Sequence, residues 1–249
     1  MNALHALLAA CLLAIAPFAR APLAAEARIA VAANFTQTAR ALAPLFHAAS
    51  GHSLKISHAS SGKLATQIMQ GAPFDVFLSA DVGHAARVEK AGFAVPDSRV
   101  VYASGRLALY SRDDQAFEDG ETWLKRNAFR RLAIANPKTA PYGLAARQTL
   151  KHLGIWRMLR TRLVRGESVA QAFQFVATGN VDAGLVAMSQ IKNRHGARWQ
   201  IPESYHAPIE QAAVLLKHGA RNPAARAFLD FLLGDSARAL IESQGYALE

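Results

Sequence analysis

The chain has 249 residues, of which 51% are hydrophobic and 18% charged, which excludes a disordered polymer and supplies apolar material for one large or two modest cores. Its formal charge is +10, a bias that raises nucleic acid or a membrane surface as partners. The basic residues are scattered, however. The densest group, Arg157, Arg160, Arg162 and Arg165, has only Trp156 beside it, not the series of stacking rings that single strands use. It reads as a solvated face with no nucleic-acid role.

Residues 3–18 form an almost unbroken apolar run that ends in small residues at Ala24, Ala25 and Ala27. A spanning helix needs about 20 apolar residues, so residues 1–25 read as a secretory signal peptide cleaved near Ala25. The first ten residues lack the usual Lys or Arg. Cys11, the single cysteine, sits in a sequence that imitates a lipoprotein cleavage site, and a lipid anchor there is the minor alternative. Cleavage near Ala25 removes Arg20 and leaves a charge of +9 and no cysteine.

From Arg28 the pattern alternates. Arg28 to Ala32 reads as a buried strand, and Phe35 to Ala49 as an amphipathic helix stopped by Gly51. Leu54 to Ile56 is a strand, Gly62 to Gln70 a helix ended by Gly71, and Asp75 to Leu78 a strand. Asp81 then caps a helix that runs to Gly92. Two strands, Val100–Tyr102 and Leu107–Tyr110, flank Gly105 without a helix between them, which marks a crossing between two lobes. The alternation resumes with strand Leu132–Ala135, helix Pro141–His152, a short strand at Leu163–Val164, helix Ser168–Thr178 and strand Gly184–Ala187. Gln211–Leu216 is the returning strand, and helices Pro223–Leu233 and Ser236–Gln244 close the chain. The expected architecture is α/β, two lobes of mixed, mostly parallel sheet flanked by helices and joined by crossing strands. Lobe 1 comprises residues 26–104 completed by 212–249, and lobe 2 residues 105–211.

Four turns open helices with small or donor-bearing residues and no intervening carboxylate: Ala33-Asn34-Phe35-Thr36, Ser60-Ser61-Gly62, Pro141-Tyr142-Gly143 and Ser168-Val169. Singly each has a plain explanation. Asn34 or Ser61 is an ordinary cap, Gly62 and Gly143 ease a turn, Tyr142 is a packing aromatic, and Val169 is core. Together they fall where strands lead into helices, two from each lobe, so the free N–H groups of several helix starts would meet in one cleft and favour an anion.

At these residues the chain resembles the periplasmic molybdate-binding proteins of ABC transporters. The likeness is carried by Ala32-Ala33-Asn34-Phe35, by Ala59 to Leu64, by Gly71 to Asp81, by Asn136-Pro137 with Pro141-Tyr142-Gly143, and by Ser243-Gln244-Gly245-Tyr246. It implies a type II binding protein that is not an enzyme, holds molybdate or tungstate as ligand with no cofactor and no direct metal ligands, works as a monomer and serves a membrane permease. It places Asn34 and Ser61 from one lobe, and Tyr142 with the Val169 N–H from the other, on the anion, with Ala33 as a backbone neighbour. Many members carry Ser at the position of Asn34, Tyr at that of Ala187 and Asp at that of Gln190. A subgroup shares Asn34 and Tyr142 with this chain, which reads as an exchange of one donor for another.

Other readings fit less well. No nucleophile elbow, His-Glu-x-x-His helix or paired-cysteine spacing is present, and Gly62-Lys63 lacks the rest of a phosphate-binding loop. His47, His52 and His58 are spaced for the surface rather than for a metal. A binder of another oxyanion such as sulfate, or of iron with an anion, is the nearest rival. The effector lobe of a transcription regulator would need a DNA-reading helix pair, for which the first 25 residues are too short and apolar.

Overall fold

The computed structural model describes residues 24–248. The expected signal peptide, apart from Ala24 and Ala25, and Cys11 lie outside the described residues. Two five-stranded mixed sheets organise the chain.

The first sheet is built from β1 (Glu26–Ala32), β2 (Ser53–Ala59), β3 (Val76–Ser79), β4 (Val100–Gly105) and β10 (Ile209–Leu215), in the order β2-β1-β3-β10-β4. Strand β1 lies parallel to β2 and β3, whereas β10 runs antiparallel to β3 and β4. The second sheet repeats this plan with β5 (Leu107–Tyr110), β6 (Leu132–Ala135), β7 (Leu163–Gly166), β8 (Ala183–Ala187) and β9 (Arg198–Gln200), in the order β7-β6-β8-β5-β9. Here β6 is parallel to β7 and β8, and β5 is antiparallel to β8 and β9. Only Arg106 separates β4 from β5, so the chain steps from one sheet to the other within a single residue. It returns through β10.

Alternation explains why the first sheet is covered on both faces. Ile29 and Val31 of β1 point into a core with Phe35, Phe46 and Phe228, while Ala30 joins Leu64, Phe77 and Val88 on the other side. The covering helices are α1 (Thr36–Ser50), α2 (Ser61–Met69), α3 (Val82–Lys90), α8 (Pro223–Leu233) and α9 (Asp235–Ser243). The second sheet is dressed by α4 (Gly120–Arg126), α5 (Pro141–His152), α6 (Val169–Ala177) and the one-turn α7 (Met188–Ile191), over a core that includes Leu109, Ile134, Leu150 and Val186. Ile209, the first residue of β10, packs into this second core although its strand hydrogen-bonds in the first sheet, so the returning strand links both cores.

Helix ends obey local chemistry. Gly51 takes a left-handed φ of 70° and donates its N–H to His47 C=O at 2.8 Å, the stop expected of glycine. Asp81 caps α3 by accepting His84 N–H at 2.8 Å. Burial alone would raise the Asp81 pKa, but hydrogen bonds and charge from His84, with help from Ser79, hold it below its ordinary value. Elements α4, α7 and β9 were not expected from the sequence. One surface expectation is corrected: His52 is buried, and its Nδ1 accepts Ala25 N–H at 3.2 Å.

Candidate anion-binding site

The carboxyl ends of β1, β2, β6 and β7 all lead into helix starts, through residues 136–140 in the case of β6, and these starts line one hollow. Ala33–Phe35 forms a 3-10 turn between β1 and α1, Ser60 precedes α2, Ala140 precedes α5, and Ser168 precedes α6. They border a small hollow, about 180 Å³ counting space open to solvent, whose lining includes Ala33, Asn34, Ser61, Tyr142 and Val169, all five residues singled out by the sequence. Ser60 lines it too. Every lining side chain is buried. A larger cleft of about 740 Å³ around Arg112 lies on the second sheet alone and carries Asp113 and Asp182, carboxylates that would repel an anion.

Capping does not explain these residues. Asn34 lies inside the 3-10 turn, Ser61 is the first helical residue of α2, and neither the turn, α2 nor α5 has a side-chain cap. Their first N–H groups, which have no partner within the helix, are therefore not covered by a side chain, although the Gly62 N–H of α2 is taken by a main-chain carbonyl. Pro141 occupies the first turn of α5 and has no N–H, which makes Tyr142 the first residue there with a backbone donor. Ser168 does cap α6, accepting from Gln171 N–H at 3.3 Å. That bond leaves the Val169 N–H, two residues nearer the cavity, uncovered by the cap.

The side chains divide into those spent on the protein and those with a donor to give. Ser61 Oγ accepts the Ala80 N–H at 2.9 Å. Its acceptor side is thus engaged, and its own O–H remains. Asn34 is different: its Nδ2 donates to Gln211 Oε1 at 2.8 Å and to Tyr246 Oη at 3.1 Å. Gln211 Nε2 donates in turn to Ile209 C=O at 2.9 Å, which fixes the Gln211 amide and hence that of Asn34. The Asn34 carbonyl accepts from Tyr246 Oη at 3.0 Å and Ser189 Oγ at 3.3 Å. Asn34 therefore offers the cavity its main chain, and its side chain holds the turn in place.

Tyr142 Oη is buried with no hydrogen-bond partner. Burial, with nearby Tyr246 and Tyr102, pushes its pKa well above the ordinary value, so the phenol stays protonated and keeps a donor. Its ring reaches the crossing strands: a Cβ placed on Gly105 would lie 2.1 Å from Tyr142 Oη, so only glycine leaves room there. Ala187 sits beside the same crossing, paired with Leu107.

Direct contacts bridge the two halves around the cavity. Gly62 N–H donates to Thr139 C=O at 2.9 Å, and Lys192 Nζ donates to Ser243 C=O. Neither Gly62 nor Gly143 has positive φ, so neither eases a turn. Their lack of a side chain instead permits close approach, since a Cβ at Gly143 would lie 2.4 Å from Ala135 C=O. Among the described residues no cluster of three or more His, Cys, Asp or Glu is placed to hold a metal cation.

The model of the bacterial extracellular solute-binding protein family matches residues 27–247. The molybdate-binding protein ModA of Azotobacter vinelandii is 46% identical over 230 residues, 91% of either chain. The chain belongs to the ModA family of bacterial extracellular solute-binding proteins. ModA of Rhodobacter capsulatus is 44% identical over 227 residues, 91% of this chain and 90% of that one. The solved structure of the A. vinelandii periplasmic molybdate-binding protein superposes with a TM-score of 0.87 at 39% identity, covering 90% of this chain and all of the other. The family resemblance read from the sequence is therefore confirmed, as is the two-lobed architecture. Like these relatives, the chain is a binding protein and not an enzyme.

Proposed function

We propose that the chain captures molybdate or tungstate in the periplasm and delivers it, as a monomer, to the membrane permease of an ABC importer. The observation that carries this reading is the convergence of Ser61, Tyr142 and the starts of four helical segments, drawn from both sheets and three of them without a side-chain cap, on one hollow with buried walls and no carboxylate in its lining. Each hydrogen bond to a charged group contributes about 1.5–3 kcal/mol, and each partly buried helix end up to ~2 kcal/mol. Five or six such groups reach the ~8–10 kcal/mol of micromolar-to-submicromolar binding even after ordering costs. No formal positive charge is needed inside the cavity.

The same donors discriminate. With one lone pair of Ser61 Oγ and the main-chain carbonyl of Asn34 already engaged, a protonated oxyanion such as hydrogen phosphate would have to place its proton on the hydroxyl oxygen of Ser61 or Tyr142, competing with the role of that hydroxyl as a donor to the anion, at a cost of about 1–3 kcal/mol. Sulfate carries no such proton, so only its smaller radius separates it from molybdate. Titration calorimetry of the mature chain with molybdate, tungstate, sulfate and phosphate tests this. Molybdate and tungstate are expected to bind within a few-fold of each other, with sulfate and phosphate weaker by at least about 100-fold, ~2.7 kcal/mol. Equal or tighter sulfate binding would transfer the assignment to sulfate.

A further inference from the structure

Beside the inner cavity lies a second, larger hollow of about 620 Å³, partly open to solvent, that shares Ala33 and Asn34 with it. Gln37 and Arg40 of α1 and His58 of β2 line it from one half of the molecule, and Gln174, Gln190 and Arg194 from the other. No acidic residue lines it. Arg40 and Arg194 are exposed, and neither belongs to an ion pair among the described residues. The Arg194 guanidinium lies 5.6 Å from the centre of the Phe173 ring, a cation–π placement that keeps the charge at the hollow without neutralising it.

We infer that this hollow is a vestibular anion site, in which Arg40 and Arg194 collect the hydrated oxyanion before it enters the inner cavity. This rests on the oxyanion reading above and adds a division of labour to it. The inner cavity holds neutral donors, which act at contact distance and discriminate. Such donors attract little from afar. Unpaired cations around a concave mouth focus the field and raise the local anion concentration and the association rate. Because the vestibule is lined from both halves, parting of the lobes would widen it while leaving an arginine on each side. The amides of Gln37, Gln174 and Gln190 suit an anion that still keeps water, to which an amide can both donate and accept.

Stopped-flow measurement of molybdate binding by tryptophan fluorescence tests the inference, using the double variant Arg40→Gln/Arg194→Gln. At low ionic strength its association rate is expected to fall about tenfold, with the dissociation rate unchanged and a shallower dependence of association on salt. Arg40→Lys/Arg194→Lys should restore most of the rate. Arg157→Gln/Arg160→Gln, which removes the same charge beyond the far end of α5, should keep the rate within about twofold. Wild-type-like association in the vestibule variant, or equal slowing in the Arg157/Arg160 control, would overturn the vestibule and leave the inner site standing. Failure of the wild-type chain to bind molybdate would instead overturn the inner-site reading, and the vestibule with it.

Discussion

Ser61 and Tyr142 line the cavity and donate no hydroxyl proton to the protein in any hydrogen bond among the described residues. Ser61→Ala and Tyr142→Phe should each weaken molybdate binding by about 10- to 100-fold, the equivalent of a lost hydrogen bond to charge. Calorimetry checks both, and unchanged affinity in either would remove that hydroxyl from the site. The two differ in what they leave behind. Ser61→Ala strands the Ala80 N–H that its Oγ accepts, whereas Tyr142→Phe removes a buried hydroxyl that lacks a partner, so the first should lower stability and the second preserve or raise it. Asn34 marks the limit of reading residues from sequence. Its type and position beside a helix start were legible. The direction of its amide was not, because Gln211 and Tyr246, which fix it, lie 177 and 212 positions away.

At the scale of elements, helices with a terminal signal were legible. Pro141 and Pro223 open α5 and α8 at the first turn, where proline's fixed φ suits helix entry. Strand β6 was equally plain, being four buried apolar residues in a row. By contrast α4 begins at Gly120 in a polar stretch and depends on Asp119, which accepts Glu121 N–H and Thr122 N–H. Strand β9 has three residues and exists through pairing with β5, which no local pattern reveals. The start of α2 carries a testable role. Alanine at Gly62 would put Cβ 2.9 Å from Thr139 C=O and 2.9 Å from His84 Nε2, forcing the two halves apart where Gly62 N–H now meets Thr139. Gly62→Ala should therefore speed molybdate release by about tenfold, ~1.4 kcal/mol, with little change in association. A wild-type release rate in stopped-flow displacement would show that this contact does not hold the two halves together over the ligand.

Across the whole molecule, the two sheets share one plan and are sewn together by β4–β5, by β10 and by the closing segment, where Ala247 N–H and C=O pair with Ser104. Tyr102, Tyr142 and Tyr246 gather near this seam, and burial raises the pKa of each, that of Tyr246 to about 12. In the unfolded chain these phenols ionise near pH ~10. Above that pH the unfolded state loses protons that the folded state retains, so stability is intact below pH ~10 and falls as pH rises toward about 12. Urea midpoints should accordingly drop between about pH 10 and about pH 12. A constant midpoint with all tyrosines ionising in the native state would contradict the burial.

The alternation of strands and helices, the crossing at Gly105 and the return strand made the architecture readable from sequence, since each rests on local periodicity. The contacts between the halves, such as Gly62 N–H on Thr139 C=O, were not readable, because they depend on helix starts brought together only by the two crossings. The central claim is that an oxyanion sits between those starts and is bound from both sheets at once. The most direct test is a crystal structure of the tungstate complex with the metal located by anomalous scattering. A single strong peak is expected, enclosed by Ser61, Tyr142, Val169 and the Ala33–Asn34 turn, with Ser61 Oγ and the Val169 N–H on tungstate oxygens. A peak bound by residues of one sheet alone, or outside this cavity, would contradict it.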